Sequence, residues 1–597
     1  MDAETAQAAV LSVRGREAGR SSTQAGVKRV EVPYQRQSGS HLCSPFRRLQ
    51  FPCCWMAALL VCCVVVRTKT CVGQQLERWV TVDSDLRFAA EVERVQEIIR
   101  EAASLGFSHL LLDDAGLSFP DDPESAYVRH TELIRETANR WQLQLVPVVF
   151  PVDRADNILR AQPDLAAGVP VRNALYVIQN GTAELQADPA VSLPALSALE
   201  EWNNVDTTVK LTADGLECRG TDGSRSRILK TVEVAPYRHY RLRIRIQTRQ
   251  FQGHAGIAAF QTGSNRRLSA APLQVPATAD WSEYSTTFNS LDSERVQVVA
   301  GAWAMTGGRL LMQDAVIEEC GLLNVLRRPQ TPVQVVAEET SRRLQEGEEY
   351  AEIRDPLRDR QDRDTLFGID HSSPTIRMRG YWPDGTRLRV SWYHPVLQYR
   401  LQVCGSADDP ACRKLLDQQA RRAEAVFPHT DRMLHLRELR VFGWEEPQTG
   451  GSRAAGRRLA DQLRWETTLL DRLDSHRRVL MWSDMIDPYQ NAVECYSLVH
   501  GDLAGSWEGV NPRVTIVNRN FAAAAESLSF FANRGHRQIL AGYFDSSPRQ
   551  MIAWLQAGQE SKIPGIVGVM YVTRKRDYSG LAEFARLLDR YELAAQE

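Results

Sequence analysis

The residues of this sequence that can do chemistry are carboxylates and aromatic side chains that follow short apolar runs. Glu438 lies toward the end of one such run, and Trp482 with Asp484 lies toward the end of the next. Tyr543 and Asp545 close a third run. A sugar ring can stack on Trp or Tyr, while carboxylates bind its hydroxyl groups or protonate a departing glycosidic oxygen. The pattern therefore favours a carbohydrate ligand.

Asp113, His394 and Asn518 also stand at the ends of apolar runs and are predicted to contact the same ligand. Each position has a structural alternative. An Asp after a strand is ordinary loop chemistry, and His394 precedes a proline and can simply line a rim. A Trp at a strand end can be core packing, and an Asp can be the N-cap of the next helix.

The elements that must position these residues are short runs rich in Val, Ile, Leu and Tyr, too brief for helices and separated by stretches of helical period. This alternation predicts an α/β protein with a (β/α)8 TIM barrel, whose functional side chains stand at the carboxyl ends of its strands. The eight predicted strands are His109–Asp113, Leu143–Val149, Arg387–His394, Arg432–Val441, Arg478–Met485, Arg513–Asn520, Gln538–Asp545 and Gly565–Arg574.

One connection in this barrel is too long, because roughly 240 residues separate predicted strands 2 and 3 where a helical crossover needs a few dozen. Period-2 alternation appears there in Tyr240–Thr248 and in Arg295–Trp303, as in antiparallel strands with one solvated face. We expect an inserted all-β, jelly-roll-like sandwich at 191–325, similar in outline to carbohydrate-binding modules. The barrel would then comprise 74–190 and 326–597.

The first 73 residues contain the chain's one membrane-directed segment. Residues 1–50 lack apolar periodicity and are predicted to be disordered. The uncharged run Phe51–Val66 is flanked by Arg and Lys, so 51–73 is expected to be a signal peptide or, alternatively, a retained membrane anchor. The prediction is an exported protein that contacts a membrane only through this segment. Met56 is an alternative start.

Composition excludes several other classes of function. A net charge of -2 and a pI near 6.7 provide no basic face for nucleic acid. No CxxC pair, HExxH helix, P-loop or dinucleotide glycine motif occurs in the presumed mature chain, so neither a metal nor a cofactor is predicted. The pairs Cys404 with Cys412 and Cys218 with Cys320 are either disulfides or buried thiols, and Cys495 is left over.

Several longer motifs resemble the hexosaminidase-like barrels of glycoside hydrolase family 20. The resemblance spans about Gly106 to Leu588 apart from the insert, and no single motif carries it alone. The motifs are RVSWYHPV at Arg389–Val396, RELRVFGW at Arg437–Trp444, LMWSDMIDP at Leu480–Pro488, GSWEG at Gly505–Gly509 and ILAGYFD at Ile539–Asp545.

The resemblance implies a glycoside hydrolase in which Glu438 is the general acid of an Asp-Glu pair. Trp482, Asp484, Tyr543 and Asp545 would hold an N-acetylhexosamine unit. This chain has Arg437 where the family has the Asp, and it has Arg519 and Arg574 where relatives would have Trp. The alternatives are a catalytically inactive glycan-binding or scaffold protein, or a two-carboxylate mechanism in which Glu438 works with Asp484 or Asp545.

Overall fold

A computed structural model describes residues 76–119, 126–220, 222–264, 266–269, 273–359, 366–398, 402–445, 454–544, 549–573 and 576–594. Asp545, Arg574 and the predicted leader therefore lie outside the described residues. In the described part of the chain, no helix is both long and apolar enough to cross a bilayer.

The molecule is a mixed α/β protein with a closed barrel of eight parallel strands and additional antiparallel sheets. The barrel strands follow one another in chain order, and the last pairs with the first. They are β1 (Glu77–Ser84), β2 (His109–Asp114), β3 (Gln144–Val149), β17 (Arg432–Leu434), β19 (Val479–Trp482), β21 (Thr515–Asn518), β22 (Gln538–Tyr543) and β23 (Ile566–Val572).

Seven of the eight predicted barrel strands are confirmed, and Arg387–His394 is wrong. That segment is β16 (Arg387–Pro395), which lies in an antiparallel sheet and pairs with β4 (Gly168–Gln179). Its side chains alternate between buried and partly exposed, which is the burial pattern of a one-sided strand. The missing barrel strand is β1, which lies before the first predicted strand.

Seven described helices accompany the strands. Four were expected from helical periodicity, near Cys412–Val426, Gly456–Leu473, Ala522–Arg534 and Ser547–Ala557, and each is confirmed to within a few residues. The helices are α1 (Ala89–Ser104), α2 (Ala126–Arg140), α3 (Pro410–Val426), α4 (Ala455–Leu473), α5 (Ala524–Ala532), α6 (Arg549–Glu560) and α7 (Leu581–Ala594).

The long connection leaves the barrel after its third strand, β3, instead of its second, because β1 precedes the predicted set. It forms two antiparallel sheets. The seven-stranded sheet contains β6 (Asn204–Val205), β7 (Val209–Thr212), β8 (Gly215–Cys218), β9 (Ser224–Glu233), β10 (His239–Gln261), β11 (Ala279–Asn289) and β12 (Arg295–Glu319). The six-stranded sheet contains β4, β5 (Thr182–Leu185), β13 (Gln334–Ala337), β14 (Arg342–Arg343), β15 (Ile376–Arg377) and β16.

The barrel interior is a packed core. One buried cluster takes side chains from all eight barrel strands, including Trp79 of β1, Met433 of β17 and Trp482 of β19. A filled lumen leaves only the strand ends and their loops for binding. A short pair of parallel strands, β18 (Val441–Phe442) and β20 (Leu498–Val499), joins two of these loops.

The four cysteines that sequence analysis paired are buried free thiols, so the disulfide alternative is wrong for both pairs. Burial raises the pKa of the Cys412 thiol to about 12, and it does the same for Cys218 and Cys320. Such thiols stay protonated and act as small apolar side chains. Cys495 is an exposed free thiol.

Candidate functional site

The carboxyl ends of the parallel strands bring several predicted residues to one end of the barrel, which we call the mouth. Asp113 is the last residue but one of β2, Trp482 ends β19 and Tyr543 ends β22. Glu438 lies in the segment that follows β17. Because adjacent parallel strands are in register, these side chains converge although hundreds of residues separate them in sequence.

Arg437 occupies the middle of the mouth. One of its Nη atoms donates a hydrogen bond of 2.6 Å to Oδ2 of Asp113, and its guanidinium lies 5.9 Å from the ring centroid of Trp482. Arg154 approaches the same Asp113 oxygen to 3.7 Å. Burial opposes ionisation of Asp113, but His435 and these arginines hold its pKa well below the usual range. Asp113 is therefore an ionised acceptor in the mouth.

His435 connects Asp113 to a second buried carboxylate, Asp153. Its Nδ1 lies 2.5 Å from Oδ1 of Asp153, and its Nε2 lies 3.3 Å from Oδ2 of Asp113. Burial by itself would lower the pKa of His435, but the two carboxylates outweigh burial and raise it. The imidazolium donates to a carboxylate on each side.

Asp153 also fixes the backbone of the segment after β17. Its Oδ2 accepts the backbone N–H groups of Arg437 at 3.1 Å and of Glu438 at 3.0 Å. Burial disfavours its ionised form, but His435 and the N–H donors lower its pKa to about 2. Sequence analysis missed both Asp153 and His435. The available signal was that each follows the end of a barrel strand within a few residues.

The carboxylate of Glu438 forms an ion pair with Arg440. Its side chain is 19% exposed, while Arg440 is more deeply buried at 13%. Burial disfavours the Arg440 cation, but Glu438 raises its pKa above the ordinary value. Arg437 lies beside Trp482 while Glu438 pairs with Arg440, so these two neighbours in sequence have different partners.

A second ion pair also lies beside Trp482. One Nη of Arg519 lies 3.1 Å from Oδ1 of Asp484, and the other donates to the hydroxyl of Tyr543 at 2.9 Å. The Arg519 guanidinium lies 5.2 Å from the ring centroid of Trp482. With Arg437 also beside the indole, Trp482 is only 3% exposed.

Two predicted site residues lie away from the mouth. Asn518 is fully buried and donates to Ser527 at 2.8 Å and to Gln538 at 3.2 Å, so its amide holds the helix and strand that follow β21. His394 belongs to β16, outside the barrel, and its ring stacks on His239 of the seven-stranded sheet at a centroid distance of 3.6 Å. Asp545 lies outside the described residues. The structure therefore brings together Asp113, Trp482, Asp484 and Tyr543, joined by Arg437 and Arg519.

No set of three or more metal-ligating side chains occurs among the residues that the structure describes. The polar groups of the mouth are instead engaged in hydrogen bonds and ion pairs. Three carboxylates (Asp113, Asp153, Asp484) pair with three cationic side chains (His435, Arg437, Arg519), and Arg154 also approaches Asp113. The arrangement presents hydrogen-bond donors and acceptors around aromatic rings without a large net charge.

No protein-family model matches the chain, and no curated protein matches it. Among solved structures, a rhamnosidase from Novosphingobium sp. PP1Y aligns over 88% of this chain and 59% of its own, with 9% identity and a TM-score of 0.32. The module CBM6cm-2 from the Cellvibrio mixtus lichenase 5A, in complex with cellotriose, aligns over 22% of this chain and 98% of its own, with 17% identity and a TM-score of 0.17.

A carbohydrate-binding module of family 4 covers 19% of this chain and 77% of its own, with 15% identity and a TM-score of 0.17. These identities and TM-scores are too low to assign a fold family, a ligand or an activity to this chain. The resemblance to glycoside hydrolase family 20 stays a sequence-based prediction.

Proposed function

We propose that the barrel mouth binds a glycan and that its ion network replaces the acid-base pair of a hydrolase. The observation that carries this proposal is the position of Arg437, between Asp113 and the indole of Trp482. The protein would then be a glycan-binding protein on a glycosidase-type barrel.

The composition of the mouth supports a polyhydroxylated ligand. The Arg437 side chain is 20% exposed and has more N–H groups than the Asp113 carboxylate accepts. Because His435, Arg437 and Arg519 each pair with a carboxylate, the mouth favours a neutral sugar over a strongly charged ligand. The partly exposed ring of Tyr543 beside these donors suits the C–H face of a sugar.

Hydrolysis needs a carboxylic acid that keeps a proton for the leaving group and a second group that stabilises the developing positive charge. Asp113 is held ionised by its cationic neighbours, and the Glu438 carboxylate is engaged by Arg440. We call Arg437, Asp113, His435 and Asp153 the Arg437 network. In this arrangement no carboxyl group of the network holds a proton that it can donate. These contacts favour binding over turnover.

Glycoside hydrolysis with Glu438 as general acid is the second candidate, with N-acetylhexosamine glycans as its substrate class. It is favoured by the place of Glu438 in the segment after β17 and by its partial exposure. It requires the ion pair with Arg440 to open when substrate binds. Asp545, the further carboxylate that the sequence offers, would be its partner.

The finer architecture is part of the proposal. The closed barrel, whose strands lie within 77–149 and 432–572, would be a (β/α)8 TIM barrel, and the insert at 191–325 would be a jelly-roll-like module. Residues 51–73 would direct export. This places the glycan outside the cytoplasm.

The test is to incubate the purified chain with a panel of aryl glycosides and neutral glycans, beside the variants Glu438→Gln and Arg437→Ala. We expect binding without turnover, binding unchanged by Glu438→Gln, and binding about tenfold weaker in Arg437→Ala because charge-assisted hydrogen bonds are lost. Turnover that disappears in Glu438→Gln would establish the hydrolase instead. Thermal unfolding of each variant shows whether it is folded.

A further inference from the structure

A second cavity lies outside the barrel mouth, between the six-stranded sheet and the barrel loops. It is a groove of about 680 Å³, which we call the sheet groove. One wall contains Arg172 of β4 and Tyr393 of β16. The other contains Trp444, Arg458 at the start of α4, and the loop His500–Asp502. None of the lining residues belongs to the Arg437 network.

The barrel-side wall of the sheet groove is formed in part by the stacked rings of Trp444 and His500. The imidazole of His500 stacks on the indole of Trp444, with centroids 4.2 Å apart and planes 20° apart. The indole N–H of Trp444 donates to the carbonyl of Leu498 at 2.6 Å, so the ring cannot turn. Tyr393 lines the opposite wall. Aromatic groups therefore line the groove from both sides.

Most charges of the sheet groove are neutralised inside the fold. Arg458 pairs with Asp408 at 2.5 Å, and buried Glu445 pairs with Arg328. These side chains are fixed in place, and their charges are already compensated. These side chains shape the groove but contribute little electrostatic attraction for a ligand.

The remaining two charges are Arg172 and Asp502, which have no ion-pair partner among the described residues. The Arg172 guanidinium lies 3.8 Å from the ring centroid of Tyr237, which orients it and leaves its N–H groups available. One oxygen of Asp502 accepts the backbone N–H of Ala504 at 2.7 Å, which leaves the other available. The groove thus offers the N–H donors of the positively charged Arg172 guanidinium and one acceptor oxygen of the negatively charged Asp502 carboxylate.

We propose that the sheet groove is a second saccharide-binding site that takes a short neutral oligosaccharide. Its volume lies within the roughly 300–1,000 Å³ range of small-molecule sites. Balanced charges give no preference for a polyanion, while Arg172 and Asp502 can bind neighbouring hydroxyl groups. The aromatic groups match the C–H faces of the sugar ring. This inference goes beyond the proposed function, because it uses no residue of the mouth.

The test is calorimetric titration of the full chain with neutral tetrasaccharides built from glucose, xylose, mannose or N-acetylglucosamine, with tetragalacturonate as the acidic counterpart. The groove variants are Arg172→Ala and Asp502→Asn. The control variant is Tyr381→Ala, since Tyr381 is 91% exposed and does not line the groove. Each groove variant is expected to weaken binding of a neutral tetrasaccharide about tenfold, and the control to leave it unchanged.

The same titration of Arg437→Ala separates the two sites. Weaker binding in the groove variants supports the sheet groove, and weaker binding in Arg437→Ala supports the mouth, so each proposal stands or falls on its own variant. The groove proposal is overturned if no neutral tetrasaccharide binds, or if the groove variants bind as wild type. It is also overturned if tetragalacturonate binds more tightly than the neutral sugars in a salt-dependent way.

Discussion

His435 at the barrel mouth and His394 in the six-stranded sheet are both almost completely buried, at 2% and 1% exposure, yet their pKa values shift in opposite directions. Two carboxylates flank His435 and raise its pKa despite burial. His394 stacks on the uncharged ring of His239, and burial lowers its pKa to about 4. Burial raises the free energy of the charged form of a histidine, while the charges of the neighbouring side chains decide whether the histidine stays protonated.

The comparison distinguishes two kinds of buried site. The mouth depends on compensated charges. The stacked pair of His239 and His394, which we call the sheet joint, depends on neutral rings. In the mouth, removing one charge leaves another uncompensated. In the joint, adding a proton introduces a charge that has no carboxylate partner among the described residues. The two regions should therefore respond differently to mutation and to pH.

The largest expected effect is that of Asp153→Ala. It removes one of the two carboxylates that flank buried His435 and the acceptor of two backbone N–H groups, so we expect a loss of about 3–5 kcal/mol in the free energy of unfolding. Asp153→Asn keeps an acceptor oxygen and should lose less. Chemical denaturation at neutral pH measures both. A loss below about 1 kcal/mol in Asp153→Ala would contradict the compensated-charge account.

The next effect is a pH dependence that originates in the sheet joint. The pKa of His394 is about 4 in the fold and about 6.5 in the unfolded chain, so the unfolded state binds the extra proton in this window. Stability is thus lost as pH falls from about 6.5 to about 4, by roughly 3 kcal/mol for this residue. His239, whose pKa is also lowered, acts in the same direction.

His394→Leu should flatten this part of the stability profile, measured as the free energy of unfolding at a series of pH values. The matched control is His435→Gln. Because the pKa of His435 is raised, its contribution is present below the unfolded pKa and is lost as pH rises through the folded pKa. His435→Gln should therefore change the alkaline side of the profile. Identical profiles for the two variants would refute the comparison.

A smaller effect is expected from Arg437→Ala, because Asp113 keeps His435 and Arg154 as neighbours. We expect a loss of about 1–3 kcal/mol in the free energy of unfolding, together with a higher pKa of Asp113. The acid-unfolding midpoint should then move to higher pH, because the depressed pKa of Asp113 stabilises the fold above the unfolded value of about 3.9. An unchanged midpoint would count against the Arg437 to Asp113 contact.

The smallest effect is that of Arg249→Ala, which breaks an ion pair with Asp280 on the seven-stranded sheet. These side chains are 46% and 87% exposed, so water screens the pair. The free energy of unfolding should stay within about 0.5 kcal/mol of wild type. A larger loss would mean that ion pairing outside the mouth also stabilises the fold appreciably.

The sequence predicted most of the barrel because a strand that is buried on both faces is apolar at nearly every position. Runs such as that of β23 are apolar at nearly every position, which distinguishes a parallel barrel strand from a surface strand. The prediction failed at β16, where apolar residues at alternate positions belong to a one-sided antiparallel strand. His394 was assigned to the mouth for that reason.

What the sequence determined by itself is the kind of fold and the end of the barrel where polar and aromatic side chains gather. Asp113, Trp482, Asp484 and Tyr543 were found in this way, because strand ends can be read from local periodicity. Only the tertiary structure decided their partners. Arg437 meets Asp113 across 324 positions of sequence, and His435 meets Asp153 across 282. Such ion pairs depend on barrel closure and on the direction of each side chain, which local patterns do not encode.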